Sequence, residues 1–233
     1  MKKNLLSLGV LAIFSSSSFA GSLLGVGGDL EVYYINQNIS GWVQHGKNGT
    51  KYDVKNNLGY DNKGSYGVKL SVDNPTGIFF VPNFGFEYVK VDFGGGNSYL
   101  KLNHYDFIFS WNFIKNDKVD LRMGAAIRGI KYDVQINTTN KKKEDIWVPM
   151  FYMNVKASPA TWVDFIFSEK VMSYSGNNYT DLNVEARFYP VKALFKPFVS
   201  IGYKNEAISP DDTKGISATI TLNQPYVGVG MAF

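Results

Sequence analysis

The sequence predicts an all-β chain folded as an antiparallel up-and-down transmembrane β-barrel of ten strands, with eight strands as the alternative. Three observations carry this reading. Apolar and polar residues alternate along several stretches of about ten residues, the pattern of a strand with one face in lipid and the other in a lumen. Aromatic residues make up 15% of the 233-residue chain, Tyr and Phe far outnumbering Trp, while charged residues reach only 19%. Finally, the chain ends QPYVGVGMAF, where Val227, Val229, Met231 and Phe233 alternate with Gly228 and Gly230. Loose termini are ordinarily polar, so an apolar alternating end implies a last strand held by a neighbour.

The first residues read MKKNLLSLGVLAIFSSSSFAG, with Lys2 and Lys3 ahead of an apolar run from Leu5 to Phe14 and a small-x-small site at Ser18, Phe19 and Ala20. This is the pattern of a secretory signal peptide over 1–20, cleaved after Ala20, leaving 21–233 as a single barrel domain. An apolar run of about ten residues is too short for a spanning helix, which needs roughly 20. The chain has no cysteine, hence no lipid attachment point and no disulfide.

Strands are expected at 24–37, 65–73, 82–93, 99–113, 119–136, 146–157, 161–174, 178–189, 196–207 and 222–233. In SYGVKLSVD, Tyr66, Val68, Leu70 and Val72 share one face, with Lys69, Ser71 and Asp73 opposite. Between Lys101 and Phe113, Tyr105, Phe107, Phe109, Trp111 and Phe113 form an aromatic ladder, with His104, Asp106, Ser110 and Asn112 behind it. The fifth strand changes phase near Gly129, as a bulge or a strand leaving the bilayer would. In the eighth, Leu182, Val184, Ala186 and Phe188 alternate with Asp181, Asn183, Glu185 and Arg187. Connections at IKNDK, ASPAT, YPVKALFKP and NPTGIFFVPN read as periplasmic, and the segments 38–64, 137–145 and 208–221 as longer outside loops.

Within the last strand, Tyr226, Gly228, Met231 and Phe233 match the polar-x-Gly-x-x-apolar-x-aromatic ending that outer-membrane assembly machinery recognises. GVGGDLEVYY, the DNPTGIFFVPNFGFEYVKVDFGGG region and YVGVGMAF together resemble the small Gram-negative outer-membrane β-barrel proteins with a Gly-Gly near the mature N-terminus. The resemblance spans the mature chain and implies fold and location in the bacterial outer membrane. It brings no site residues, because that family has no established activity.

The inward face gathers Asp29, Glu31, Glu87, Asp106, Asp164 and Glu185 with Lys69, Arg122, Arg128, Lys156, Arg187 and Lys204. Signs nearly balance, so the expectation is a filled lumen in which opposite charges pair. The functional alternatives within that barrel are a structural or surface role and narrow passage of small solutes. A wide diffusion channel is excluded by strand number, since general porins use about 16 to 18 strands.

The competing reading is a barrel hydrolase, a protease or lipid-modifying enzyme. His104 and Asp106 lie at i and i+2 on one face with Ser110 deeper, and a carboxylate beside an imidazole is general-base chemistry. His45, the other histidine, is expected in a loop. Lys141, Lys142 and Lys143 would meet lipopolysaccharide phosphates from an outside loop, and NLGYDNKGSYG is a candidate partial plug. Expected partners are outer-membrane lipid, lipopolysaccharide and the assembly machinery, with the chain a monomer. The charge falls from +4 to about +2 once Lys2 and Lys3 are removed, and no basic helical stripe suggests nucleic acid. Gly94, Gly95 and Gly96 form no phosphate cradle, and no metal or cofactor motif is legible.

Overall fold

Period-two alternation does build strands here, and they close on themselves. The structure, a computed structural model, describes residues 27–46, 49–74, 80–95, 98–135, 141–191, 195–210 and 216–233; the predicted signal peptide lies outside them. Twelve strands follow in chain order: β1 (Gly28–His45), β2 (Lys51–Asp53), β3 (Lys63–Val72), β4 (Asn83–Val89), β5 (Asp92–Gly95), β6 (Ser98–Lys115), β7 (Val119–Gln135), β8 (Lys141–Ala160), β9 (Val163–Tyr174), β10 (Asn177–Phe188), β11 (Lys196–Ser209) and β12 (Ile216–Ala232). Ten of them form an antiparallel ring, β1-β3-β4-β6-β7-β8-β9-β10-β11-β12, closed by β12 against β1. The two short ones are additions at one end: β2 pairs with the outer part of β1, and β5 continues β4 along β6 in the same register. The ten predicted strands are the ten of the ring.

Closure answers the question the C-terminus raises. Phe233 and Gly28 exchange two backbone hydrogen bonds of 2.9 Å, N–H of each to the carbonyl of the other. The Phe233 ring lies on Gly28, where an added Cβ would stand 2.8 Å from the ring and 2.5 Å from the Ser71 carbonyl. A side chain at position 28 would push apart the two strands that seal the barrel. Val227 and Val229 stay 55% and 62% exposed on the lipid side, as predicted. Gly228 and Gly230 make room on the lumen side: an added Cβ at 228 would meet Glu31 and Ser200, and at 230 the Phe198 ring.

The two faces separate as the alternation predicts. Phe109, Trp111, Phe113 and Val184 point outward, while His104, Asp106, Asp181, Asn183, Glu185 and Arg187 are buried inside. Trp162 stacks on Phe188 near the turn end, with centroids 6.4 Å apart, and Tyr34, Tyr66, Trp147 and Tyr203 ring the outside further up. Such an aromatic-bordered band is the membrane-facing surface of a barrel. Both described chain ends and the tight 116–118 and 161–162 connections share one end, the periplasmic one.

Parts of the three expected outside loops are strand. β1 runs on to His45, β8 begins at Lys141 and β12 at Ile216, so 38–45, 141–145 and 216–221 extend the wall above the bilayer. His45 therefore closes β1 instead of lying in a loop, and Lys141, Lys142 and Lys143 sit on β8. The signal was hidden because polarity reverses there. In β7 the even residues face inward without interruption from Asp120 to Val134, but inside they change from Arg128 to Ile130, Tyr132 and Val134, and outside from Ile127 to Lys131. The phase change at Gly129 is thus a strand leaving the bilayer; register shifts lie elsewhere, in β6 between Asn112 and Ile114 and in β8 between Ala157 and Ala160. The first part of the segment proposed as a plug does fold in: Leu58 and Tyr60 are buried with Val54 and Phe93, Ser98 donates to the Leu58 carbonyl at 2.7 Å, and burial pushes the Tyr60 phenol up to about 12, while the rest, from Lys63, is β3.

Two outcomes test this architecture. Gly28→Val, like deletion of Phe233, leaves export intact and reduces the heat-modifiable barrel recovered from the outer membrane; normal recovery of both variants would show that this closure is dispensable. Val184→Lys costs roughly 2 to 4 kcal/mol in folding titrations into lipid vesicles, while the lumen change Ser168→Asn costs less than about 1 kcal/mol. Equal costs would mean the faces are misassigned.

Candidate functional site

Inward positions of all ten strands converge on a lumen divided by chemistry along its length. Nearest the periplasm, Arg122 on β7 grips Asp73 with both Nη atoms, at 2.7 and 3.1 Å, and also bonds Asp120. Asn112 donates to Asp120 at 2.6 Å and accepts from Asn83 at 2.8 Å. Above this, Lys69 on β3 reaches across to Glu185 at 2.9 Å and to the Tyr226 hydroxyl at 3.0 Å. Arg187 bonds Glu185, Glu31 at 3.3 Å and Asp29 at 3.1 Å, and the Ser200 hydroxyl donates to Glu31. A void of about 130 Å³ remains between these layers.

A second cluster closes the lumen. Arg128, fully buried, holds both Asp106 oxygens at 2.6 Å and also bonds Asp181 and the Tyr179 hydroxyl. Lys170 on β9 donates to Glu87, Asp106 and Asp181. Lys204 on β11 reaches Glu87 at 2.9 Å, Asp181 at 3.3 Å and Glu206 at 3.3 Å. Tyr33 donates to Glu87, and Tyr179 to Glu206, each at 3.0 Å. Four carboxylates and three cations from six strands thus pair across the barrel axis, with one carboxylate in excess. Isolated, each buried charge would cost several kcal/mol; shared hydrogen bonds offset that cost, so removing one member is far worse than its net contribution suggests.

The structure brings together most of the predicted charge network: Asp29, Glu31, Lys69, Glu185 and Arg187 in one cluster, Glu87, Asp106, Arg128 and Lys204 in the other. Arg122 lies in the lowest layer, Lys156 lines the small void, and Asp164 accepts from Tyr189 at 2.8 Å. The network also needs Asp120, Lys170, Asp181 and Glu206. Period two reaches all four: Asp120 by counting back from Arg122, Asp181 back from Glu185, Lys170 on from Asp164 and Glu206 on from Lys204. Of the predicted terminal motif, Tyr226 points inward and donates to Glu185 at 2.7 Å, Gly228 makes room for Glu31, and Met231 and Phe233 face outward.

The proposed catalytic group does not assemble. Asp106 is committed to Arg128 and Lys170, and the His104 neighbours are Glu206, 3.4 Å from Nε2, and the Leu102 carbonyl, 3.4 Å from Nδ1. Ser110 lies six residues along the same strand, roughly 20 Å away at strand rise. Residues i and i+2 share a face but stand about 7 Å apart along it, so cross-strand partners win. Two buried groups, His104–Asp181–Glu206 and Glu87–Asp106–Asp181, hold ligand-type atoms within 4.8 Å. Lys170, Lys204 and Arg128 already supply the positive charge that a metal would bring there.

Beyond this plug the lumen turns apolar. Leu100, Ile130, Val134, Val148, Ala218 and Ile220 line a chamber of about 550 Å³ at the outer end. Its wall is incomplete on one side. β7 and β8 pair through to Gln135 and Lys141, but the outermost β8–β9 pair is Phe151 with Val171. The β9–β10 hairpin turns tightly at Ser175 and Gly176, both at positive φ, as a two-residue turn of this kind requires. Residues 141–150 of β8 therefore rise beside no β9 partner.

No protein-family model and no curated protein matches the sequence. Solved structures do. The outer membrane protease OmpT of Escherichia coli aligns over 89% of this chain and 96% of its own, with TM-score 0.51 at 9% identity. Ail, the attachment invasion locus protein of Yersinia pestis, aligns over 89% and 99%, with TM-score 0.41 at 9% identity, and Neisserial surface protein A over 90% and 97%, with TM-score 0.39 at 10% identity. At such identities the likeness is one of fold. The chain has the closed antiparallel barrel fold of integral outer-membrane proteins.

Arg128→Met leaves four buried carboxylates facing two lysines and lowers stability by about 3 to 5 kcal/mol, whereas His104→Ala, which frees only Glu206, costs about 1 to 3 kcal/mol. Vesicle folding titrations of both variants rank them; a larger loss for His104→Ala would displace Arg128 from the centre of the plug.

Proposed function

We propose that this protein is a closed, non-enzymatic outer-membrane barrel of the small Gly-Gly kind, with a structural or surface role and no through-passage for solutes. The observation that supports this is the cross-barrel ion cluster around Arg128, which spans the lumen from β4 to β11 above a void of about 130 Å³. Moving a solute past would require separating several buried ion pairs at once. Its partners are outer-membrane lipid and lipopolysaccharide around the band, and the assembly machinery that would read Tyr226, Gly228, Met231 and Phe233 during insertion of a monomer. Refolded protein in a planar bilayer stays electrically silent; reproducible conductance steps would replace the closed barrel by a narrow pore. The same preparation yields no cleaved peptide and no altered lipopolysaccharide, and a product that disappears in folded His104→Ala would restore the hydrolase.

A further inference from the structure

We propose that the apolar chamber above the plug binds one hydrocarbon chain of a lipid, which enters sideways from the outer leaflet through the gap between β8 and β9. The chamber's lining carries the argument. Neighbouring residues of one strand point to opposite faces, yet Trp147, Val148 and Pro149 of β8 all border the same space. A cavity that touches both faces of a strand must pass its edge, and the register places a free edge there, since β8–β9 pairing stops at Phe151 and Val171. Were that register continued, Pro149 would stand opposite Ser173; proline has no N–H to give a ladder, so the sequence itself ends the seam. Tyr174 and Trp147, 78% and 57% exposed, flank the opening on the outer surface.

The lining also selects the ligand. A cavity of about 550 Å³ lies within the roughly 300 to 1,000 Å³ of small-molecule sites. Among the described lining residues Asp145 is an acid and none is a cation, so an anionic group would enter without a counter-charge. Asn177 and Asn178 border the gap and suit a polar headgroup left at the rim while its chain goes in. The floor is the plug, so the chamber is a binding site with a side door and not a channel. This goes beyond the closed-barrel reading: conductance would overturn the plug without filling the chamber.

Photolabelling decides the matter. Protein in phosphatidylcholine vesicles is irradiated with a trace of phosphatidylcholine carrying a diazirine at the end of one acyl chain, and in parallel with a diazirine-bearing dodecanol. Adducts from the phospholipid appear on the inward residues Ile130, Val134 and Ala218 as well as on lipid-facing Ile127. In a Pro149→Cys, Ser173→Cys protein the inward adducts persist until a short thiol crosslinker closes the seam, and are then lost while those on Ile127 remain; the natural chain, lacking cysteine, is untouched by the reagent. Ala218→Trp, which fills the chamber, loses the inward adducts without any crosslink. Inward residues free of phospholipid adducts, inward labelling by dodecanol alone, or labelling indifferent to the crosslink would each overturn the proposal.

Discussion

Hydrocarbon offers a backbone no water to bond with, so within the bilayer each strand must find a neighbour on both sides. Here that demand is met by the seam between β1 and β12, where Phe233 and Gly28 exchange hydrogen bonds at the lowest rung. Much else follows from it. A ring of only ten strands encloses a narrow lumen, a narrow lumen is filled by side chains, and side chains kept off the lipid face are largely polar. Their charges must then pair with one another, because the void left to water is small.

The plug and the chamber are consequences of where each strand stands relative to the membrane. Inside the bilayer the outward face must be apolar and the inward face takes the charges. Above it the outward face meets water, so Lys131 and Asp145 can stand outside while Ile130, Tyr132 and Val134 turn in and pack with Val54, Leu58 and Tyr60. The apolar core of this protein is thus located beyond the membrane, in the outer end of the barrel. At the bilayer's outer rim, where Pro149 of β8 stands level with lipid-facing Ile127 of β7, the rule of two neighbours relaxes and a free edge is tolerated.

Glycine and tyrosine do complementary work in the lower half. Gly228 yields space to the Glu31 carboxylate and the Ser200 hydroxyl, and Gly202 to the Tyr226 ring; Tyr33 and Tyr226 then carry hydroxyls into the two charge clusters. Rings supply bulk that closes the lumen, and their single polar atoms satisfy carboxylate lone pairs that a second cation would otherwise have to serve. Large side chains across from glycine are how a barrel this small accommodates the Tyr226 and Phe198 rings.

What the sequence determined by itself was everything that depends on period two: ten strands, which residues of each face lipid, the inward direction of Asp106, Arg128, Glu185 and Arg187, and a final strand that must be paired. That pattern is local, set by the pleat of a single strand. What only the tertiary structure decided was partnership across the ring. His104 and Asp106 are neighbours in sequence, yet Glu206 and Arg128 claim them: Arg128 stands opposite Asp106 on the adjacent strand, about 4.8 Å away, and Glu206 of β11 reaches His104 across the narrow lumen. Lys170 and Glu206 needed the same closure to gain meaning. The outer strand extensions and the chamber stayed hidden because the polarity code inverts at the membrane surface, and where that surface falls depends on how the finished barrel sits in the bilayer.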